Sequence, residues 1–253
     1  MSFSEEPRSY TETRKRTGAE YVKFTDKYRV VLRMLNPQAR TVWKHWIQEA
    51  NGGRGLGAVC LNTEPGLRAC PIEKAYEHLP KDDKERKDHY ARRKFVINVL
   101  DRTPVTTCKH CSTVTPAVTN VASGAKQCQS CGGDLKGSDF TPLNKVKILE
   151  QGPRLFNENL NVIADMQKAD LGVDITEYDI VFTSQDQDRD RKITAIPKDP
   201  EPLEDGALND PETGEPQKLW DLELLSEPPQ SEEIELMLQG ATIDQLNAVR
   251  GIV

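Results

Sequence analysis

The chain has 253 residues, of which 36% are hydrophobic, 6% aromatic and 29% charged, so part of it is expected not to pack into a core. Residues 198–253 carry fourteen acidic and three basic side chains, a net charge of −11, whereas the first 197 residues carry 26 acidic and 31 basic side chains, a net charge of +5. A basic body with an acidic tail is typical of a polyanion-binding protein. The sequence also argues against a membrane protein, because no segment approaches the roughly 20 apolar residues of a membrane span.

The chain begins with a polar stretch, residues 1–20, in which Arg14-Lys15-Arg16 forms a basic cluster, and we expect a flexible basic arm there. The body starts near Val22. In Arg29–Leu35 apolar side chains alternate, which predicts a half-buried strand that turns Arg29 and Arg33 toward solvent. An aromatic and basic stretch, Val42-Trp43-Lys44-His45-Trp46-Ile47, follows.

Two pairs of Cys residues dominate the middle of the chain. Cys108 and Cys111 form one C-x2-C pair, Cys128 and Cys131 form the other, and sixteen residues lie between them. This spacing predicts a zinc ribbon in which four thiolates surround Zn²⁺, a closed structural type of site. His110 is expected to be a bystander.

The position of these pairs predicts an insertion. A strand-like run, Phe95–Leu100, precedes them, and a second one, Val146–Leu149, follows them. We therefore expect the ribbon, residues 104–140, to interrupt a strand pair of another β-domain. Six Cys residues without a signal peptide favour metal ligation in a reducing cytoplasm over disulfides.

Later segments complete the predicted fold. Residues 155–171 carry a helical apolar stripe, and residues 178–182 and 192–196 form a predicted hairpin. Short strands with an interposed helix indicate a mainly β protein with some α structure, an OB-fold-like barrel over residues 21–197. Residues 198–253 are acidic and rich in proline, which predicts a largely disordered tail with two possible short helices, one over residues 232–238 and one that begins at the capping-box pattern of Thr242 and Gln245.

The distributed cations and aromatic side chains match the needs of single-stranded nucleic acid, in which bases stack on aromatic faces and cations follow the phosphates. Core packing is the alternative for each aromatic residue. A further group, His45, Cys60 and Cys70 with Glu73 at C-x2 spacing, has two interpretations, buried small side chains or a second metal site. No nucleophile–base pair or paired-carboxylate pattern indicates an enzyme.

Several of these blocks occur in an order that carries a family resemblance. They include Tyr28-Arg29-Val30-Val31-Leu32-Arg33, Cys70-Pro71-Ile72-Glu73, Asn98-Val99-Leu100-Asp101-Arg102 and Tyr178-Asp179-Ile180-Val181-Phe182. Over residues 20–197 the chain resembles the bacteriophage single-stranded DNA-binding proteins typified by the helix-destabilising protein of the T-even phages. In that family a zinc site uses His, Cys and C-x2-C; Glu73 stands where the last Cys is expected.

The resemblance implies an OB-fold core that binds single-stranded DNA without sequence preference during phage replication, recombination and repair. It also implies self-association through the N-terminal arm, recruitment of replication and recombination proteins by the acidic tail, and a location in the host cytoplasm. On this hypothesis the predicted DNA contacts are Arg29, Arg33, Trp43, Lys44, Trp46, Tyr90, Arg92, Arg93, Lys94, Phe95, Lys145 and Lys147. The alternatives are a zinc-ribbon adaptor that contacts a polymerase and a nuclease or primase accessory protein.

Overall fold

The structure is a computed structural model that describes residues 20–24, 29–47, 56–61, 70–83, 89–119, 126–128, 130–185, 192–241 and 245–246. The predicted basic arm lies outside these residues. Within them, in chain order, the strands are β1 (Val30–Met34), β2 (Arg40–Ile47), β3 (Leu56–Val59), β4 (Arg92–Asp101), β5 (Pro104–Thr107), β6 (Val114–Thr119), β7 (Lys126–Cys128), β8 (Thr141–Pro142), β9 (Lys145–Gln151), β10 (Asp179–Gln185) and β11 (Lys192–Pro197). The α-helices are α1 (Pro71–Ala75), α2 (Pro153–Leu155), α3 (Asn161–Leu171) and α4 (Ser231–Leu238).

The chain divides into two compact units. The described residues of Arg40–Val96 and Asp221–Val253 belong to the first unit, and those of Glu20–Ala39 and Ile97–Trp220 belong to the second. The predicted α+β class, rich in β structure, is confirmed. Among the described residues the paired strands run in the order β11-β10-β1-β4-β2-β3, with β9 also on β4, and do not close a ring. The OB-type barrel therefore stays a prediction.

The first unit is built on antiparallel pairs of β2 with β3 and of β2 with the start of β4. Because side chains alternate across a strand, one face of β2 carries His45 and Ile47 into the core. Cys60, Cys70 and Ile72 are buried in the same unit, where they pack with Ile47 in one cluster. On the opposite face Arg40 and Trp46 are exposed and Lys44 is half-buried, while Val42 is buried.

The second unit places β1 between β10 and the end of β4, and β10 pairs with β11 as the predicted hairpin. Every residue of β1 is buried, on both faces, so the predicted alternation of buried and exposed side chains is wrong for this strand. Arg33 is 1% exposed, and its Nε lies 2.8 Å from Oδ1 of Asp179. Its Nη1 donates to the carbonyl of Glu201, so the segment after β11 covers the face that was expected to meet solvent.

The ribbon region forms a separate sheet in the order β7-β6-β5-β8. The sequence predicts an insertion between two neighbouring strands, and β4, before the ribbon in the chain, pairs with β9, after it. A continuous helical stretch follows β9 as α2, a π-helical turn (Phe156–Leu160) and α3. In the described parts of the chain, no helix combines the length and apolarity needed to cross a membrane.

The acidic tail is the largest correction to the sequence prediction, because its described residues have defined packing. In the second unit Ala207 is buried with Leu100 and Val146, and the Asn98 side chain both donates to and accepts from the backbone of Trp220. In the first unit Ile234 and Met237 of α4 are buried. The composition of this segment predicts disorder, but a few well-spaced apolar residues suffice to anchor it.

An ion pair holds the same segment in the second unit. Arg102 is 6% exposed and donates to both carboxylate oxygens of Glu204, at 2.7 and 2.6 Å. A bidentate pair of this kind is stronger than a single hydrogen bond. The Arg102 guanidinium lowers the pKa of Glu204 to about 2 from its ordinary value of 4.5. A buried cation of the body thus takes its counter-ion from the tail.

Removing the α4 anchor is expected to destabilise the protein. Ile234 is 1% exposed, and truncation of such a residue to Ala costs about 2–5 kcal/mol in the free energy of unfolding. Leu219, in the same tail but 48% exposed, is the matched control and should change stability by less than about 0.5 kcal/mol when replaced by Ala. Urea unfolding measures both variants. An Ile234→Ala variant as stable as the control would show that the tail does not pack.

The Arg102–Glu204 pair predicts a pH dependence. Because the folded pKa of Glu204 is about 2 and its ordinary value is 4.5, its contribution is present above about pH 4.5 and is lost as the pH falls toward 2. The difference in unfolding free energy between the natural protein and Glu204→Gln should therefore shrink over that range. A difference that is independent of pH there would contradict the ion pair.

Candidate nucleic-acid interface and metal centres

One side of the sheet that β2 and β4 form in the first unit carries cations from both strands. Lys44 of β2 lies opposite Arg92 of β4, and Val42 lies opposite Lys94. Residues directly opposite in an antiparallel pair share a face, as do residues two apart in one strand. Lys44, Arg92, Lys94 and Arg40 therefore project from the same side of the sheet.

Trp46 belongs to that same face. It is two residues beyond Lys44, is 57% exposed and pairs across the sheet with Gly57 of β3. A Cβ added at Gly57 would lie 3.7 Å from Cζ3 of the Trp46 ring, so the indole rests against a strand position without a side chain. One face of the indole thus contacts β3 while more than half of its surface meets solvent.

We call this surface, formed by Arg40, Lys44, Trp46, Arg92 and Lys94, the cationic face. It contains four of the predicted DNA contacts. Arg40 was not among the predicted contacts, although its position in the strand, two residues before Val42, predicts that it lies on the same side of the sheet. Nη1 of Arg40 lies 3.1 Å from Oε1 of Glu223, also in the first unit. The tail therefore supplies an acidic group at the edge of the cationic face.

Three predicted contacts lie on the opposite side of the same strands. Trp43 is half-buried against the core cluster, and Phe95 is 8% exposed. The guanidinium of Arg93 lies over the Phe95 ring, 4.7 Å from its centre. Stacking of a base on Phe95 is therefore a wrong expectation, because the ring is already covered. Tyr90, in the same unit, is 39% exposed.

The predicted contacts in the second unit are mostly engaged in ion pairs. Arg33 is buried against Asp179, which corrects its assignment as a phosphate contact. Nζ of Lys147 lies 2.7 Å from Oδ2 of Asp101 and is largely buried, while Nζ of Lys145 lies 2.6 Å from Oε1 of Glu20. Arg29 is exposed. The alternation of side chains along one strand cannot predict these ion-pair partners, because they are distant in sequence.

The Cys pairs form two matching turns at the end of the ribbon sheet. In the first, the backbone N–H of Ser112 donates to the carbonyl of Cys108; in the second, that of Gly132 donates to the carbonyl of Cys128. Ser112 and Gly132, each one residue past its pair, have φ values of 56° and 73°, in the left-handed region. Both turns present their two sulfur atoms to the same point.

The four sulfur atoms fit a tetrahedral metal. All lie within 4.8 Å of one another, and the Cys108–Cys131 and Cys111–Cys128 Sγ distances are both 3.7 Å. Zn–S bonds of about 2.3 Å in a tetrahedron place sulfur atoms about 3.8 Å apart. A hydrogen bond from the backbone N–H of Gly133 lowers the pKa of Cys131, but the neighbouring cysteine thiols and burial outweigh it and raise that pKa to about 12. Four thiolates at this distance need a cation.

His110 contributes packing. A Cβ added at Gly133 would collide with Cδ2 of His110, so the imidazole lies directly against the backbone of the second turn. Among the described residues, the group that can hold a metal at this site consists of the four Cys residues alone. The sequence prediction that His110 is a bystander agrees with this arrangement.

A second group of potential ligands lies in the core of the first unit. His45, Cys60 and Cys70 are all buried, and their donor atoms lie within 4.8 Å of one another. Nε2 of His45 is 3.2 Å from Sγ of Cys70. Hydrogen bonds from Cys60 and His45 lower the pKa of Cys70, which favours the thiolate that binds a metal. These three donors fit three corners of a metal site.

A fourth ligand is not supplied by Glu73, the residue at C-x2 spacing after Cys70. Glu73 is not part of the described ligand group; its backbone N–H bonds to the Cys70 sulfur instead. Nδ1 of His45 lies 2.7 Å from the carbonyl oxygen of His89, a contact that orients Nε2 toward the cysteines. Nδ1 of His89 in turn lies 3.0 Å from the carbonyl oxygen of Trp46. The buried cluster and the cationic face are therefore joined through β2.

Neither a scan against models of known protein families nor a search of curated proteins finds a match for this chain. The assignment of a function therefore depends on the geometry of the cationic face and of the Cys sites.

Metal content tests the ribbon site. Cys111→Ser should lower the bound metal by one equivalent per chain, because a tetrahedral site that loses a thiolate ligand binds its metal far more weakly. His110→Ala, in the same turn, is the matched control and should retain the metal. Elemental analysis of purified protein measures both variants. Equal metal content in Cys111→Ser and in the natural protein would contradict the assignment.

Proposed function

We propose that this protein binds single-stranded DNA without sequence preference and is not an enzyme. The observation that carries the proposal is the cationic face, where Arg40, Lys44, Arg92 and Lys94 lie on the same side of the sheet as the exposed indole of Trp46. Charges that follow a backbone and an aromatic platform for bases are the two components of nonspecific single-strand binding.

The chemistry of the face favours unpaired strands. Each cation neutralises a phosphate, which releases counter-ions and makes binding weaken as salt rises. The Trp46 ring offers a flat apolar surface that any unpaired base can cover, whereas the bases of a duplex are stacked on one another. Stacking reads no hydrogen-bond edge, so it accounts for the absence of sequence preference.

We propose Zn²⁺ as the metal of the ribbon. Four thiolates fill all four positions of a tetrahedral ion, so the site is closed and stabilises its own lobe of the second unit. A closed site has no position for a substrate or an activated water. The zinc therefore serves structure or partner docking, and the DNA is bound elsewhere.

The cellular role follows from the family resemblance. We propose that the protein coats and protects single-stranded DNA during phage replication, recombination and repair in the host cytoplasm, on an OB-type core. The basic N-terminal arm would mediate self-association along the strand. Acidic side chains that remain exposed in the tail, such as Glu212 and Glu232, would contact replication and recombination proteins.

The test is a titration of oligo(dT) and of duplex DNA of equal length at about 50 and about 200 mM salt. The proposal predicts preferential binding of oligo(dT), with log K falling by about 0.7 per unit of log salt for each phosphate contacted. Absence of binding, or a preference for duplex, would favour the zinc-ribbon adaptor. Cleavage of the oligonucleotide on addition of a divalent metal would favour the nuclease alternative.

Trp46 is the most direct single-residue test. Trp46→Ala should weaken oligo(dT) binding by about 5- to 150-fold, the equivalent of about 1–3 kcal/mol for one stacked base. Two further variants separate the tryptophans. Trp46→Phe should abolish the quenching of tryptophan fluorescence by oligo(dT), whereas Trp43→Phe should retain it. Quenching that survives Trp46→Phe and disappears in Trp43→Phe would place the bases on the other side of β2.

A further inference from the structure

A cleft of about 240 Å³ opens in the second unit between the end of β9, the helical stretch that begins at Pro153, and β11. Its polar lining includes two side-chain amides, from Gln151 and Asn159, and the hydroxyl of Thr194. Leu155 and Ile193 supply apolar surface. None of these residues was among the predicted DNA contacts.

The helical wall of the cleft is irregular. Residues 156–160 form a π-helical turn, and Glu158 and Asn159 lie within it. Nδ2 of Asn159 donates to the carbonyl of Arg154, at 3.3 Å, which ties the turn to the start of the helix. Single π-helical turns interrupt regular hydrogen bonding and occur frequently at functional sites. Here the turn places an amide and a carboxylate in the lining of the cleft.

Two cations, Arg154 and Lys192, complete the lining. Nε of Arg154 lies 3.6 Å from Oε2 of Glu158, and the two side chains are 71% and 67% exposed. An exposed pair of this length contributes little to stability, so Arg154 can exchange Glu158 for another anion at small cost. The Lys192 side chain is exposed at the start of β11.

We propose that this cleft binds one unpaired nucleotide, with the phosphate on Arg154 and Lys192 and the base against Leu155 and Ile193. The cleft holds about 240 Å³, below the roughly 300 Å³ at which sites for drug-sized ligands begin, which limits the occupant to one nucleotide. The side-chain amides of Gln151 and Asn159 can pair with the edge of a base, since amides donate and accept, whereas the hydroxyl of Thr194 is already bonded to Thr183. Glu158 disfavours an acidic peptide as the occupant and accepts from the amino group of cytosine, adenine or guanine.

The proposal rests on the proposed function, because the nucleotide is taken to belong to the strand bound by the protein. It adds a second contact, in the second unit, with a preference at a single nucleotide, whereas the stacking platform of the cationic face accepts any base. Thymine, which lacks an exocyclic amino group, is expected to bind more weakly in the cleft than cytosine.

The test uses the full chain carrying Trp46→Ala, which removes the stacking platform of the cationic face. Saturation-transfer NMR with dCMP should show transfer to the base protons, and dTMP should show less. Adding Arg154→Ala and Lys192→Ala should abolish the transfer. Adding Lys136→Ala and Lys168→Ala instead removes the same charge from exposed positions outside the cleft and should leave the transfer intact.

Several outcomes would overturn the proposal. Loss of transfer in both of these charge-removal variants would show nonspecific attraction to net charge. Full displacement of dCMP by an equal concentration of inorganic phosphate would show a simple anion site. Absence of transfer in Trp46→Ala, in a protein that still binds oligo(dT), would reject the cleft and leave the proposed function standing. Failure of the natural protein to bind oligo(dT) would reject the proposed function separately.

Discussion

The antiparallel register of β2 against β4 and β3 is the constraint on which the account of the first unit depends. With Lys44 opposite Arg92 and Trp46 opposite Gly57, alternate residues are assigned to opposite sides of the sheet. A shift by one residue would exchange the two sides and place Lys44 in the core. His45 and Ile47 on the inner side are buried, and their packing therefore fixes the side on which Lys44 and the exposed Trp46 lie.

The same strand joins the buried Cys–His group to the surface. His45 contacts Cys70 on one ring nitrogen and the backbone of His89 on the other, and His89 contacts the backbone of Trp46. A metal bound by His45, Cys60 and Cys70 would therefore rigidify the strand that carries the stacking platform. The four-cysteine ribbon belongs to the second unit, where its sulfur atoms lie close enough together to hold a metal at the end of a separate small sheet.

Local patterns in the sequence predicted much of the fold and of the sites. The Cys spacing predicted the ribbon, the runs around it predicted an insertion between β4 and β9, and the helix and the last hairpin are in the expected places. Both tryptophans of β2 were singled out, but which of them faces solvent depends on the register with two other strands. That register requires knowledge of pairing across the chain.

The errors arise from contacts distant in sequence. Arg33 has the pattern of a solvent-facing residue, yet Asp179 and the backbone after β11 surround it. The tail has the composition of a disordered segment, yet Glu204 neutralises Arg102 and α4 buries Ile234. Burying a cation requires a nearby counter-ion, and here the body and the tail satisfy this requirement together.

The central claim is that the cationic face of the first unit contacts single-stranded DNA. The most direct measurement is photochemical crosslinking of an oligonucleotide that carries 5-iododeoxyuridine, followed by mass spectrometry of the crosslinked peptides. The account predicts a principal crosslink at Trp46, with competition by unlabelled oligo(dT) and little by duplex. Crosslinks confined to the ribbon, residues 104–140, with none on β2, would contradict it.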